Sequence, residues 1–134
     1  MNNVTVLIIS SGKFEYLKEN INSLIKFNSE IFVVVNGFKK NTVDFLTRTK
    51  NSYAKIDYLI LYNKIPKSQA RNIGVKSVVC EIIYFMDDDA FIQENNVEII
   101  SEKFDKYPSI GVLGGPNLTP PDSNGFQTAT GIMF

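Results

Sequence analysis

Three consecutive aspartates, Asp87, Asp88 and Asp89, are the residues whose type and spacing point most directly to chemistry. They follow an apolar run, Ile82 to Met86, which is typical of a buried strand. Adjacent carboxylates repel one another, so a fold that keeps them together usually offsets their charge with a cation. Alternate side chains of an extended chain point the same way, so Asp87 and Asp89 can converge while Asp88 points elsewhere. Oxygen ligands predict Mg²⁺ or Mn²⁺, and the alternative is a solvated acidic turn.

The composition removes several other kinds of chemistry. The chain has no histidine, which excludes Ser/His/Asp and Cys/His catalysis and most protein zinc sites. The single cysteine, Cys80, excludes an internal disulfide and fits a reducing compartment. The 14 basic and 14 acidic residues balance, so no overall field favours nucleic acid or an anionic membrane as a partner. Carboxylates, Lys, Arg and a hard metal ion remain available for catalysis.

Length and hydrophobic content predict a single domain, residues 1–134, with a core of its own. The chain has 134 residues, of which 44% are hydrophobic. The apolar run near the N-terminus, Val4 to Ile9, is too short for a signal peptide or a membrane span. The sequence therefore predicts a cytoplasmic protein with no membrane span in this chain.

Apolar runs alternate with segments of helical period, which is the pattern of an α/β protein. The predicted strands are Val4 to Ile9, Ile31 to Val35, Ile56 to Tyr62 and Glu81 to Met86, with a further apolar run from Ile110 to Leu113. Ser68 is placed to cap a helix that runs to about Val79. Right-handed crossovers between such strands give a mostly parallel sheet with helices on both faces.

Polar residues follow each predicted strand. Ser10 to Gly12 follow the first strand, Asn36-Gly37 the second, Lys64 and Lys67 the third, and the three aspartates the fourth. Ligands of parallel sheets bind at the carboxyl ends of the strands, so this rim predicts a site for a ligand with a sugar or base, a phosphate and a metal. The chain has neither a Gly-x-Gly-x-x-Gly after the first strand nor a Gly-Lys-Ser/Thr loop, so dinucleotide and P-loop binding are unsupported.

Five segments resemble family 2 glycosyltransferases, and they occur in that family's order and spacing. They are Val4 to Gly12, Glu30 to Gly37, Ala70 to Gly74, Phe85 to Ala90 and Gly114 to Asn117. The resemblance implies the Rossmann-like GT-A nucleotide-sugar transferase fold. It also implies an inverting, metal-dependent transfer of a sugar from a nucleotide-diphospho-sugar donor to a glycan or glycoconjugate acceptor, in polysaccharide or glycoconjugate synthesis.

The resemblance further implies roles for individual residues. Asp87 and Asp89 match the family's Asp-x-Asp motif, whose carboxylates hold the ribose and a divalent metal, Mn²⁺ or Mg²⁺, on the donor diphosphate. Arg71 matches the family's arginine and would face the diphosphate or the acidic cluster as a two-pronged fork. Ser10 replaces a threonine whose hydroxyl lies near the base. The implied donor-binding residues are Ser10, Asn36, Arg71, Asp87 and Asp88 for the nucleotide, and Gly114 and Gly115 for the sugar.

The chain departs from the family pattern after the second strand. The family usually has an aspartate there that reads a uracil ring, and here Val35 occupies that position, followed by Asn36. Either the Asn36 amide compensates for the missing aspartate, or the nucleotide of the donor differs.

The second departure concerns the general base, which the resemblance places in a later, acceptor-binding segment. The late carboxylate Asp122 stands in a loop and is expected to be solvated. No catalytic residue can therefore be named within the chain, and we expect the general base to lie beyond Phe134. The chain is expected to be a donor-binding part, incomplete at the C-terminus and inactive alone.

Three alternatives stay open beside the resemblance. A haloacid-dehalogenase-type phosphatase also carries Asp-x-Asp after a strand, but normally after the first strand and before Thr or Val, where this chain has Phe91. A nucleotidyltransferase shares the sheet architecture, but the glycine-rich, basic loop expected after its first strand is missing from Ser10 to Phe14. The third alternative is a non-catalytic nucleotide-binding module, which binding without turnover would favour.

Overall fold

The computed structural model describes residues 2–115, together with Leu118 and Asp122, and it shows strands and helices in alternation. The strands of this part of the chain are β1 (Val4–Ser10), β2 (Glu30–Asn36), β3 (Ile56–Leu61) and β4 (Ile82–Asp87). Its helices are α1 (Phe14–Ile25), α2 (Lys40–Ser52), α3 (Lys67–Ser77) and α4 (Asn96–Lys106). None of these helices is both long enough and apolar enough to cross a lipid bilayer.

The four strands form one parallel sheet, as the sequence predicts, and their order is β3-β2-β1-β4. Strand β1 is central, with Thr5 opposite Glu30 of β2 and Val4 opposite Ile82 of β4. The chain builds outward from β1 to β3 and then returns to the other side of β1 as β4. The strand order therefore reverses between β1 and β4, and a crevice at the carboxyl ends of these two strands is where such sheets bind ligands.

Helices cover both faces of the sheet, which explains why β1 is apolar almost throughout. On one face, Val6 and Ile8 of β1 are buried with residues of α1 and α2, among them Leu17, Ile21 and Leu46. On the other face, Leu7 and Ile9 pack with Val34 and with Ala70 of α3. Two apolar cores, one on each side of the sheet, thus hold the strand ends in place.

Gly74 brings α3 unusually close to the sheet. A Cβ atom at this position would lie 2.8 Å from Leu7 Cδ1 and 3.0 Å from Val34 Cγ2, which is too close for an ordinary contact. Ala70 lies one turn earlier on α3 and is also fully buried. Small residues at both positions let the helix lie against β1 and β2, so its first two turns reach the carboxyl rim of the sheet.

Two predictions about elements were wrong. Helix α3 begins at Lys67, with Pro66 at the N-cap, so Ser68 is already inside the first turn and makes no capping bond. The fixed φ of proline suits a helix start, which explains the earlier beginning. The run from Ile110 to Leu113 forms no strand, and Val112 is 88% exposed. A strand needs a neighbour for its backbone groups, and an apolar pattern does not report whether one is present.

Candidate functional site

Asp87 is the last residue of β4, and its side chain meets two cations of α3. One carboxylate oxygen, Oδ1, accepts a hydrogen bond from Lys67 Nζ at 2.5 Å and from Arg71 Nη2 at 3.4 Å. Lys67 and Arg71 are four residues apart, so they lie one above the other on the same side of the helix. The structure therefore brings Arg71 and Asp87 together, as predicted, and adds Lys67.

Asp88 joins the two loops at the point where the strand order reverses. Its Oδ2 accepts hydrogen bonds from the backbone N–H groups of Ser11 and Gly12, both at 2.9 Å. These two residues directly follow β1, so the carboxylate bridges the β1 and β4 ends. Asp88 thus has different partners from Asp87, and its contact with the nucleotide stays a prediction.

Asp89 is exposed and makes no hydrogen bond or ion pair with the residues that the structure describes. The backbone of this turn is closed by the Ala90 N–H group, which donates to the Asp87 carbonyl at 3.2 Å. Among the three aspartates, Asp89 is therefore the one whose carboxylate faces solvent without a partner in the described part of the chain.

Buried polar residues of α1 form hydrogen bonds with the acidic turn and with the loop that follows it. The fully buried Asn20 donates from Nδ2 to the Asp87 carbonyl at 2.8 Å. Ser23 accepts from the Ile92 N–H group at 3.2 Å and donates to the Asn20 carbonyl at 2.7 Å. Sequence reasoning missed both residues. The available signal was two polar residues, Asn20 and Ser23, among apolar residues at core-facing spacing in α1.

Asn36 is only 2% exposed, and its amide holds the loop between β3 and α3. Its Nδ2 donates to the Ile65 carbonyl at 2.8 Å, and its Oδ1 accepts from the Ile65 N–H group at 3.0 Å. This pairing fixes the segment that leads into Lys67. The Asn36 amide keeps a second N–H group and a second lone pair on its oxygen. Recognition of a base through these two positions stays a prediction.

The structure gives no contact that tests the other predicted donor-binding residues, Ser10, Gly114 and Gly115. Ser10 is buried at the end of β1. Gly114 and Gly115 are exposed, and nothing described lies within 4 Å of a Cβ built on either residue. Their approach to a donor sugar stays a prediction, as does the role of Ser10. Pro116 and Asn117 of the same matching segment lie outside the described residues.

The general base is the predicted group whose place the structure does not test. It is predicted beyond Phe134, and Phe134 itself lies outside the described residues. Asp122, the late carboxylate of the sequence, is exposed, as expected for a solvated loop residue. The position of the base beyond Phe134 therefore stays a prediction.

Three further residues lie on the same rim and were not singled out from the sequence. Lys39 Nζ donates to the backbone carbonyls of Ser11 at 3.1 Å and Gly12 at 2.6 Å, so it holds the β1 loop from the other side. Phe38 and Tyr62 follow β2 and β3, and their rings stack with centroids 5.7 Å apart. Both rings are exposed.

The acidic turn suits a metal ion that arrives together with a diphosphate. Among the described residues, no group of three or more His, Cys, Asp or Glu side chains is placed to hold a metal ion by itself. Mg²⁺ commonly takes only one or two protein carboxylates and completes its shell with substrate phosphates and water. Asp87 and Asp89 can supply that number, so the donor set fits such an ion without forming a closed cage.

Comparison with known proteins gives a family match over nearly the whole chain. Residues 5–132 match the family model described as Glycosyl transferase family 2. Glycosyltransferase GlyG of Streptococcus pneumoniae serotype 4 is 27% identical over 135 aligned positions, which cover 98% of this chain and 44% of GlyG. This chain therefore spans less than half the length of that relative.

Solved structures share the fold. Mannosyltransferase PcManGT from Pyrobaculum calidifontis, in complex with GDP-Man and Mn²⁺, has a TM-score of 0.71 and 17% identity, over 86% of this chain and 36% of PcManGT. Residues 1–349 of TarS from S. aureus, in complex with UDP-GlcNAc, have a TM-score of 0.69 and 19% identity, over 87% of this chain and 38% of that one. At these identities the likeness shows the fold alone.

Proposed function

The chain belongs to glycosyl transferase family 2, and on this premise we propose that its protein transfers a sugar from a nucleotide-diphospho-sugar to a glycan or glycoconjugate acceptor. The transfer is proposed to invert the anomeric carbon and to use Mn²⁺ or Mg²⁺. Residues 1–134 are its donor-binding part. The observation that carries the proposal is Asp87, at the end of β4, facing Lys67 and Arg71 of α3.

The family membership favours this function over the phosphatase and the nucleotidyltransferase. The donors named in the complexes of PcManGT and TarS, GDP-Man and UDP-GlcNAc, are both nucleotide-diphospho-sugars. The Mn²⁺ of the PcManGT complex supports the use of a divalent ion. In this chain Asp87 and Asp89 would hold it.

The residues of the rim suit the charge that develops during transfer. Breaking the anomeric C–O bond leaves negative charge on the departing nucleoside diphosphate, and preorganised cations stabilise it. Arg71 offers two parallel N–H groups to the diphosphate oxygens. Asp88 holds the loops after β1 and β4 together through the Ser11 and Gly12 N–H groups, so this part of the rim is already in place before a donor binds. A bound divalent ion supplies Lewis-acid stabilisation of the same oxygens.

A thermal-shift panel tests the proposal. The melting temperature is measured with UDP, GDP, dTDP and CDP, each with and without Mn²⁺. A ligand at about a hundred times its dissociation constant adds roughly 2.7 kcal/mol to the free energy of unfolding, which shifts the melting temperature by several degrees. We expect at least one diphosphate to stabilise the protein, and only when Mn²⁺ is present. Absence of any shift with all four contradicts the proposal.

The same panel decides the base preference. Val35 stands where a uracil-reading aspartate is usual in the family, so a strong preference for UDP is not required by this chain. If UDP is preferred, the remaining polar atoms of Asn36 become the first candidates for the contact. If another nucleotide is preferred, the replacement of the family's aspartate by Val35 explains why this chain does not prefer uridine.

A further inference from the structure

Lys67 places a second cation on the carboxylate that the proposed donor site also needs. Its ammonium group and the Arg71 guanidinium share a single oxygen of Asp87, at 2.5 Å and 3.4 Å. All three side chains are about half exposed, with 45% for Lys67, 43% for Arg71 and 53% for Asp87. Exposed ion pairs of this kind are weak and exchange readily with other partners.

Two cations on one carboxylate are more than that carboxylate requires. Asp88 is held by the backbone N–H groups of Ser11 and Gly12, and Asp89 has no ion-pair partner among the described residues. The positive charge is therefore concentrated on Asp87. One of the two cations is available for another anion without leaving Asp87 unpaired.

A divalent ion and the Lys67 ammonium group compete for Asp87. An ion bound to either carboxylate oxygen lies within roughly 5 Å of an ammonium group on Oδ1, where two cations repel each other. The repulsion between the divalent ion and the ammonium group falls when one of the two moves away from Asp87. Lysine suits this movement because it carries a compact charge on a flexible stem, whereas the planar guanidinium of Arg71 keeps a fixed geometry.

We propose that Lys67 is a tethered counter-cation of the donor site. Without a ligand it neutralises Asp87; when the metal and a nucleoside diphosphate bind, it leaves Asp87 and pairs with the diphosphate. The inference rests on the proposed function and adds to it a second phosphate-binding cation beside Arg71. It also makes the metal and the diphosphate bind cooperatively, because the diphosphate draws away the cation that opposes the metal.

The substitution Lys67→Gln separates this role from a structural one, because it has two effects of opposite sign. Binding of Mn²⁺ alone, followed by the electron paramagnetic resonance signal of the free ion, should tighten about three- to tenfold, since the competing charge is gone. Among UDP, GDP, dTDP and CDP, the diphosphate that the wild type binds with Mn²⁺ should bind about tenfold more weakly to the variant, as measured by calorimetry. A merely structural lysine would not move the two affinities in opposite directions.

Lys76→Gln is the matched control, since Lys76 lies in the last turn of the same helix and the charge change is identical. It should alter neither affinity. If the wild type binds a diphosphate and Lys67→Gln binds it equally well, or binds Mn²⁺ no more tightly, the role of Lys67 is overturned and the donor site stands. If the wild type binds none of UDP, GDP, dTDP and CDP with Mn²⁺, the donor site and the role of Lys67 fall together.

Discussion

At the scale of single residues, the three aspartates have three different surroundings. Asp87 meets cations, Asp88 meets backbone N–H groups, and Asp89 faces solvent. A carboxylate without a protein partner is the one that an incoming metal ion binds with the least rearrangement. On the proposed function, Asp89 would therefore meet the metal first and Asp87 would join it once Lys67 has left, while Asp88 holds the two loops together.

Asp89→Asn should abolish metal-dependent binding of a nucleoside diphosphate and leave the fold intact. Removing one of three neighbouring negative charges relieves repulsion, so the free energy of unfolding should not fall. Calorimetry with and without Mn²⁺ measures the first effect, and thermal unfolding the second. Asp44→Asn is the control, because Asp44 lies on α2 in an exposed pair with Lys40. Equal Mn²⁺-dependent affinity in Asp89→Asn and wild type would remove Asp89 from the site.

Arg71→Lys should weaken nucleoside diphosphates more than nucleosides. A lysine keeps the charge but loses the planar fork, and hydrogen bonds to charged groups contribute about 1.5 to 3 kcal/mol. The affinities of a nucleoside and its diphosphate are compared in the variant and the wild type. Arg48→Lys, in the exposed part of α2, is the matched control. An equal loss for both ligands would show that Arg71 supports the fold rather than the phosphates.

At the scale of elements, α3 determines where the cations lie. Ala70 and Gly74 face the sheet, while Lys67 and Arg71 of the same helix reach Asp87. The position of the helix on β1 and β2 thus sets the distance between the cations and the acidic turn.

Gly74→Ala should destabilise the protein by about 1 kcal/mol. The new Cβ would lie 2.8 Å from Leu7 Cδ1; such overpacking costs about 1 to 3 kcal/mol, and the better helix propensity of alanine returns up to about 1 kcal/mol. Displacement of α3 should also weaken metal-dependent diphosphate binding. Urea unfolding measures the first effect and calorimetry the second. Gly111→Ala, where nothing lies within 4 Å, should change neither. A Gly74→Ala protein as stable as wild type would mean that α3 is not tightly seated.

The repeating part of the fold is readable from the sequence because its signals are local. Apolar runs and helical spacing predict strands β1 to β4 and their parallel direction. The aspartates directly follow the last of these runs. The pairing of Lys67 with Asp87 could not be read in the same way, since it joins residues 20 apart through the seating of α3. Asn20 was missed because its burial under the acidic turn depends on how α1 meets β4.

At the scale of the whole molecule, the aspartates after β4 and the last carboxylate of α4 lie at opposite ends of the sheet. The aspartates after β4 lie at its carboxyl rim, whereas Asp105 of α4 accepts from Asn2 Nδ2 at 2.9 Å, beside the start of β1. Helix α4 therefore carries its last carboxylate away from the proposed donor site. Glu98, nearer the rim, accepts from the Asn95 side chain at 2.9 Å.

We predict that the 134-residue chain binds donor but does not transfer sugar to an acceptor. The described carboxylates after Asp89 are Glu94, the α4 residues Glu98, Glu102 and Asp105, and the exposed Asp122. The family resemblance places the general base in a later segment, and loss of such a group costs about 10² to 10⁴ in rate. Loss of acceptor orientation should cost more. The assay uses the donor that the thermal-shift panel selects, and compares this chain with a version extended past Phe134 to the full length of its relatives. Robust acceptor-dependent turnover by the 134 residues would show that the base has been misplaced.

The hydrogen bonds from the β1 loop to Asp88 determine which substitutions are tolerated at positions 11, 12 and 88. Because the carboxylate is held by backbone N–H groups, the side chain of Ser11 takes no part in the bridge and can be exchanged for any residue except proline, which has no N–H group. At Gly12 a Cβ would lie 3.1 Å from Asp88 Oδ2, so larger residues there push against the same carboxylate. A library of single substitutions selected for diphosphate binding should therefore be diverse at position 11, nearly invariant at position 12, and intolerant of any replacement of Asp88.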